Sequence, residues 1–215
     1  IPESVYTSTR MFHTSGISLA LNKNTCEVAT EMIKRFKEGG ATVSFDCNYR
    51  ANLWSEEDAR TAIKRILPYV NILLVSEETS RRMMQKNGEL FDIMKSYTEE
   101  YPVEVVCTTQ RQVISPRKHN FTSTIYDAKN DRFYTEAPYA DIDVIDRIGS
   151  GDAYVSGVLY GMLKYDDVQK ALEYGNATSS VKNTIPGDLP ASDLKEIDGI
   201  IRNHNAGGPT SELNR

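Results

Sequence analysis

A chain of 215 residues carries 25 Lys and Arg against 30 Asp and Glu, for a formal net charge of −5. Its 40% hydrophobic content, with 13 glycines and 8 prolines, excludes a disordered or collagen-like chain, and the length suits one large domain or two small ones. The acidic balance argues against nucleic acid as a partner, and the longest nearly apolar stretch, 11 residues at 153–163, is about half a bilayer span, so no membrane partner is expected.

Met11–Ser15 reads as a short strand followed by a glycine turn. Asn24 or Thr25 is placed to cap a helix carrying Val28, Met32 and Phe36 at four-residue steps and closing at Gly39-Gly40. Residues 42–47 form a strand rich in β-formers. Ser55-Glu56-Glu57-Asp58 is a box-like cap for the helix of Ala59, Ala62, Ile63 and Ile66, which Pro68 ends. Residues 72–75 are a continuous apolar run, as in a strand buried on both faces. A polar helical stretch at 77–101 precedes a strand at 103–109. Residues 112–115, 121–126 and 132–134 read as antiparallel pieces joined by turns such as Asn130-Asp131. Helices at 149–163, 168–181 and 192–203 complete the pattern, and residues 206–215 form a polar tail rich in Gly, Pro, Ser and Asn.

Strands alternating with helices imply right-handed crossovers and a mainly parallel sheet, so the fold class is α/β. Ligands of such sheets sit beyond the carboxyl ends of the strands. That directs attention to Ser15-Gly16, 46–50, 76–78, 108–111 and the segment before Gly149. Cys26, Cys47 and Cys107 are odd in number and far apart, which excludes a disulfide framework or zinc site and fits a reducing, cytoplasmic compartment. His13, His119 and His204 stand singly, and no metal ligands are identified.

The strongest chemical signal is Asp146-Arg147-Ile148-Gly149-Ser150-Gly151-Asp152, followed by an apolar helix. Two glycines permit a tight turn whose amides converge at a helix N-terminus, where unpaired N–H groups and the helix dipole both favour an anion. The amides of Gly149, Ser150 and Gly151 thus form a candidate anion hole. Asp152 beside them is placed to accept a hydroxyl proton while phosphoryl charge is stabilised. The same residues would also serve as a helix cap with flexible glycines. There is no P-loop pattern, and Tyr154 stands where a dinucleotide fingerprint needs its third glycine.

These seven residues resemble the D-x-x-G-[AS]-G-D signature of the ribokinase-like (phosphofructokinase B type) sugar kinases. Phe12-His13-Thr14-Ser15-Gly16-Ile17, Asp46-Cys47-Asn48-Tyr49-Arg50 with Leu53-Trp54, Leu74-Val75-Ser76-Glu77-Glu78, and Asn183-Thr184-Ile185-Pro186-Gly187-Asp188 extend the resemblance to the 2-keto-3-deoxygluconate kinase branch. It implies a three-layer sandwich around a mainly parallel sheet, with residues 1–205 as the C-terminal two-thirds of the kinase domain. It makes Asp152 the base that deprotonates the sugar. Arg50 would meet the carboxylate of a sugar acid, as a guanidinium fork suits; a surface salt bridge is the alternative. Trp54 is better explained by packing under its loop. Asn176 and Ser180 fall on the helix that builds the adenine pocket in that family, while Asp188 fits a turn as well as a site. Two segments depart from the family pattern. Ser76-Glu77-Glu78-Thr79 stands where N-x-x-E is usual, and Thr108-Thr109-Gln110-Arg111-Gln112 replaces K-x-G-x-x-G, with Arg111 as substitute for the missing lysine.

The implied activity is ATP-dependent phosphorylation of 2-keto-3-deoxygluconate at its terminal hydroxyl, with Mg²⁺ bridging the phosphates. A kinase for a neutral sugar such as fructose and a non-catalytic sugar- or nucleotide-binding relative are the alternatives. A homo-oligomer is compatible with the sequence. Nothing in residues 1–21 resembles the strand–glycine-turn segment and β-sheet lid that open the family's chains, so those elements are expected to be missing and a sheet edge exposed.

Overall fold

The computed structural model describes residues 1–207. Its elements are α1 (Glu3–Ser8), β1 (Met11–Ser15), α2 (Gly16–Ala20), α3 (Lys23–Glu38), β2 (Thr42–Asp46), α4 (Glu56–Ile66), β3 (Ile72–Leu74), α5 (Glu77–Arg82), α6 (Leu90–Glu100), β4 (Val105–Ser115), β5 (Lys118–Asp127), β6 (Arg132–Thr135), β7 (Tyr139–Asp143), α7 (Ser150–Tyr165), α8 (Val168–Lys182) and α9 (Leu194–Asn205). They fall into two compact units, Ile1–Thr109 with Ile125–Phe133, and Gln110–Thr124 with Tyr134 onward.

In the first unit β1, β2, β3 and the start of β4 are parallel neighbours in that order, with Phe12 opposite Val43, Phe45 opposite Leu73, and Leu73 opposite Val106. Val43, Phe45, Leu73 and Val106 are sealed from solvent together with Ile33 of α3 and Ile63 and Ile66 of α4. That apolar burial, at about 25 cal/mol per Å², is what holds these helices on the sheet. The cap of α4 forms as its sequence requires. The Asp58 amide donates to Ser55 Oγ over 3.0 Å, and that hydroxyl donates to the Asp58 carboxylate over 2.7 Å.

Several local expectations are corrected. The cap of α3 is Asn22, whose carboxamide oxygen accepts from the Thr25 amide at 2.9 Å, so Asn24 and Thr25 lie within the helix. Pro68 does not stop the chain's winding but opens a 3₁₀ turn at Leu67–Tyr69, where its missing N–H costs nothing. The polar stretch 77–101 is two helices, because Gln85 and Gly88 take positive φ of 58° and 107° between them. β4 continues to Ser115 without a break at Thr109. The short α1, α2 and β7 have no counterpart in the expected elements. Of the polar tail, residues 208–215 lie outside the described residues.

In the second unit the outer part of β4 and the first part of β5 are joined through residues 116–117, and β7 pairs antiparallel with β5, Lys118 opposite Asp143 and Phe121 opposite Tyr139. α7 and α8 lie backbone against backbone. A Cβ on Gly157 would meet the Tyr174 carbonyl oxygen at 2.4 Å, and one on Gly161 would meet the Ala171 Cα at 2.4 Å. Tyr174, Ala177, Ile197 and Ile201 fasten α9 to α8. This close pairing fixes where α7 begins.

Candidate active site

The chain leaves β7 and is tied down before α7 starts. The amides of Ile145 and Asp146 both donate to the Asn183 carbonyl, at 2.8 and 3.2 Å. The Asp146 carboxylate then accepts the Ile148 amide at 2.9 Å and the Gly187 amide at 3.0 Å, which hold its carboxyl below the usual carboxylate range. Gly149 takes φ of +79°, and a Cβ there would lie 1.9 Å from the Asp188 carbonyl oxygen. Only glycine meets both demands. The first glycine of the signature is therefore explained by the protein itself.

The second glycine is not. Gly151 has ordinary helical φ, and a Cβ on it would meet nothing within 4 Å. The space over this first turn of α7 is open, and the dipole of the 16-residue helix points its positive end there. The first amides of a helix have no intrahelical acceptor. Of the three candidate anion-hole residues, Ser150 has its N–H turned to the Arg147 carbonyl at 3.2 Å, while its own carbonyl accepts the Ser179 hydroxyl at 3.0 Å. The glycine-flanked start thus offers the amides of Gly151 and Asp152 to an anion. The Asp152 side chain is exposed, with no hydrogen bond or ion pair among the described residues.

Asn176 is fully buried on α8, its carboxamide oxygen accepting from Ser123 Oγ at 2.7 Å and its Nδ2 donating to Glu136 at 2.6 Å. Ser180, one turn further, is buried with its hydroxyl unpartnered. Burial pushes the Glu136 carboxyl up to about 7, against the Asn176 hydrogen bond and with help from the charge of Glu173. Neither Glu136 nor Lys182, whose Nζ is turned inward to the carbonyls of Asp146 and Ile185, stood out in the sequence. Both look like ordinary surface residues of polar segments, and only tertiary contacts reveal them.

The other expected positions lie elsewhere. Arg111 stands exposed within β4 rather than in a turn after it, because the strand runs on. Arg50 belongs to the first unit. It is exposed beyond β2, where Asn48 takes φ of 31° and donates its amide to the Asp46 carboxylate at 3.0 Å. No side-chain partner of Arg50 occurs among the described residues, while Trp54 packs on the core of that unit. Ser76 caps α5, and Glu77 and Glu78 pair with Arg81 and Arg82 on the same helix. No cluster of His, Cys, Asp or Glu able to hold a metal is present among the described residues, nor is any helix there long and apolar enough to cross a membrane. Cys26, Cys47 and Cys107 form no disulfide, and Cys47 and Cys107 are buried.

The chain thus sets a left-handed glycine turn at Gly149, an open first turn of α7 and the exposed carboxylate of Asp152 side by side. The family model described as pfkB family carbohydrate kinase matches residues 1–192, and the chain belongs to that family. A 2-dehydro-3-deoxygalactonokinase of Haloferax volcanii is 32% identical over 196 residues, covering 91% of this chain and 58% of its own length. A 2-dehydro-3-deoxygluconokinase of Haemophilus influenzae is 25% identical over 174 residues, 80% of this chain and 52% of its own. The crystal structure of the 2-dehydro-3-deoxygluconokinase of Thermotoga maritima superposes with a TM-score of 0.86 at 30% identity, over 93% of this chain and 62% of that one. The ribokinase-like α/β fold implied by residues 146–152 is thus found, in a chain spanning little more than half the length of the curated relatives it matches.

Proposed function

We propose that the protein is a sugar kinase that uses ATP to phosphorylate the terminal hydroxyl of a 2-keto-3-deoxy sugar acid of the 2-keto-3-deoxygluconate type. The observation that carries this reading is the open space over Gly151, a glycine the fold does not need, directly before an exposed Asp152. Asp152 takes the proton of the attacking hydroxyl as its oxygen bonds to the γ-phosphorus and the bond to the ADP oxygen breaks. The amides at the start of α7 receive the charge on the transferring group. Magnesium, brought with the phosphates, would neutralise their remaining charge, since Asp146, Glu77 and Glu78 are already engaged. Ser180, with a hydroxyl still open, is assigned to the adenine side and Arg111 to the phosphates, while Asn176, sealed and engaged by Ser123 and Glu136, serves the adenine side by holding α8 in place.

The sugar-acid preference rests on Arg50 and on the names of similar relatives. A guanidinium without a side-chain partner among the described residues suits a planar carboxylate. A coupled assay of ADP release across sugar acids and neutral sugars tests it. Turnover confined to 2-keto-3-deoxy acids is expected. Equal turnover of fructose would transfer the reading to a neutral-sugar kinase. ADP-dependent thermal stabilisation without turnover of any sugar would reduce it to a nucleotide-binding relative.

A further inference from the structure

Lys182 is fully buried, at 0% exposure, although it is the last residue of α8. Sealing an amino group inside a protein is costly, and an apolar side chain of similar volume would ordinarily serve packing as well or better. Its Nζ donates to the Asp146 carbonyl at 3.2 Å and to the Ile185 carbonyl at 3.0 Å. These contacts join the turn leading into α7 to the segment leaving α8. The same two stretches are sewn together by the Ile145 and Asp146 amides on the Asn183 carbonyl, and by the Gly187 amide on the Asp146 carboxylate. Asp146 thus receives a hydrogen bond on its carbonyl from Lys182 and two on its carboxylate, from Ile148 and Gly187. The turn it anchors carries Gly149 against Asp188 at a distance that admits no Cβ.

From this arrangement we infer that Lys182 is a positioning residue for the anion-binding turn. Its buried Nζ clamps residues 145–149 to residues 183–188, so that the amides at the start of α7 converge before a ligand arrives. A preorganised donor set loses no binding energy to ordering. The inference rests on the reading of Gly151 and Asp152 as a phosphate site, but the clamp itself is a property of the free protein.

The test compares the 215-residue chain with Lys182→Met and Lys182→Ala, measuring ADP affinity by calorimetry and amide hydrogen exchange residue by residue. In Lys182→Met, ADP should bind at least tenfold more weakly. The Ile148 and Gly187 amides should exchange faster, while the middle of α8, from Leu172 to Ala177, keeps its protection. Methylammonium should restore both readouts in Lys182→Ala, where it can occupy the vacated space, and neither in Lys182→Met. Where a variant folds only with methylammonium, withdrawing the amine supplies the comparison. Wild-type affinity and exchange in Lys182→Met would overturn the inference, as would weaker ADP binding with Ile148 and Gly187 unchanged. Loss of protection throughout α7 and α8, not reversed by methylammonium, would reduce Lys182 to a structural residue. If the wild-type chain binds no ADP, the phosphate reading fails, and exchange at Ile148 and Gly187 alone still decides the clamp.

Discussion

The two signature glycines have different physical reasons, and substitution separates them. Gly149→Ala would place a methyl group 1.9 Å from the Asp188 carbonyl oxygen at φ of +79°, so destabilisation of about 1–3 kcal/mol or more is expected in a denaturant titration. Gly151→Ala meets no protein atom within 4 Å. It should leave stability unchanged or raise it by about 0.5 kcal/mol through helix propensity, while weakening ADP binding, because the methyl group occupies the ligand's approach. Retained ADP affinity in a folded Gly151→Ala would remove the central support for the phosphate site. Asp152→Asn keeps the shape of the helix start and removes the proton acceptor. In a preparation active before mutation, turnover should fall by ~10²–10⁴-fold with ADP affinity preserved, and near wild-type turnover would refute the base assignment. Arg50→Ala should raise the KM for a sugar acid by an amount equivalent to roughly 2–5 kcal/mol and leave the KM for ATP unaltered. Equal losses for both would mark a folding role instead.

At the scale of elements, α8 meets the strands of its unit through a polar contact as well as an apolar one. Asn176 joins Ser123 of β5 to Glu136, and Glu173, itself paired with Lys170, adds negative charge that favours the protonated Glu136. With its carboxyl at about 7, Glu136 keeps a proton in the folded protein at pH values where the unfolded chain has already lost it. Its contribution is therefore favourable at low pH and is lost as pH rises from the ordinary carboxylate range through about 7. Glu136→Gln should match the wild-type melting temperature near about pH 5 and exceed it near about pH 8; parallel profiles would show that Glu136 is ionised in the fold. None of this was legible in the sequence. What was legible shares a cause: local physics decides it. The apolar run of β3, the Ser55 cap and the glycine turn before α7 each carry their reason within a few residues. β7, with Asp141 and Asp143 and only Ile142 buried, is a strand because β5 offers a ladder to it. The continuation of β4 past Thr109 and the inward course of Lys182 are likewise set by partners distant in sequence. The site followed the same division, with Gly149 and Asp152 announced by spacing and Glu136 and Lys182 hidden by their ordinary surroundings.

For the whole molecule, the order of strands places β1 at one end of the sheet with β2 as its single neighbour among the described residues. Among the described residues no strand is hydrogen-bonded along its other side. Natural edges are protected by lysine, proline, a bulge or a covering segment, since an unpaired strand templates another. Met-Phe-His-Thr-Ser offers none of the first three, and its Phe12 stacks on Phe36. The net charge of −5 is small for a chain of this size and opposes association only weakly once salt screens it. The 215-residue chain should therefore associate through β1, seen in sedimentation velocity as a weight-average mass that rises with concentration. His13→Lys, at an exposed position of that strand where it gives up the 3.1 Å hydrogen bond between Nδ1 and Ser44 Oγ, should shift the equilibrium toward monomer without altering the far-ultraviolet circular dichroism. A wild-type chain that stays monomeric over the whole concentration range would show that this edge is closed in solution.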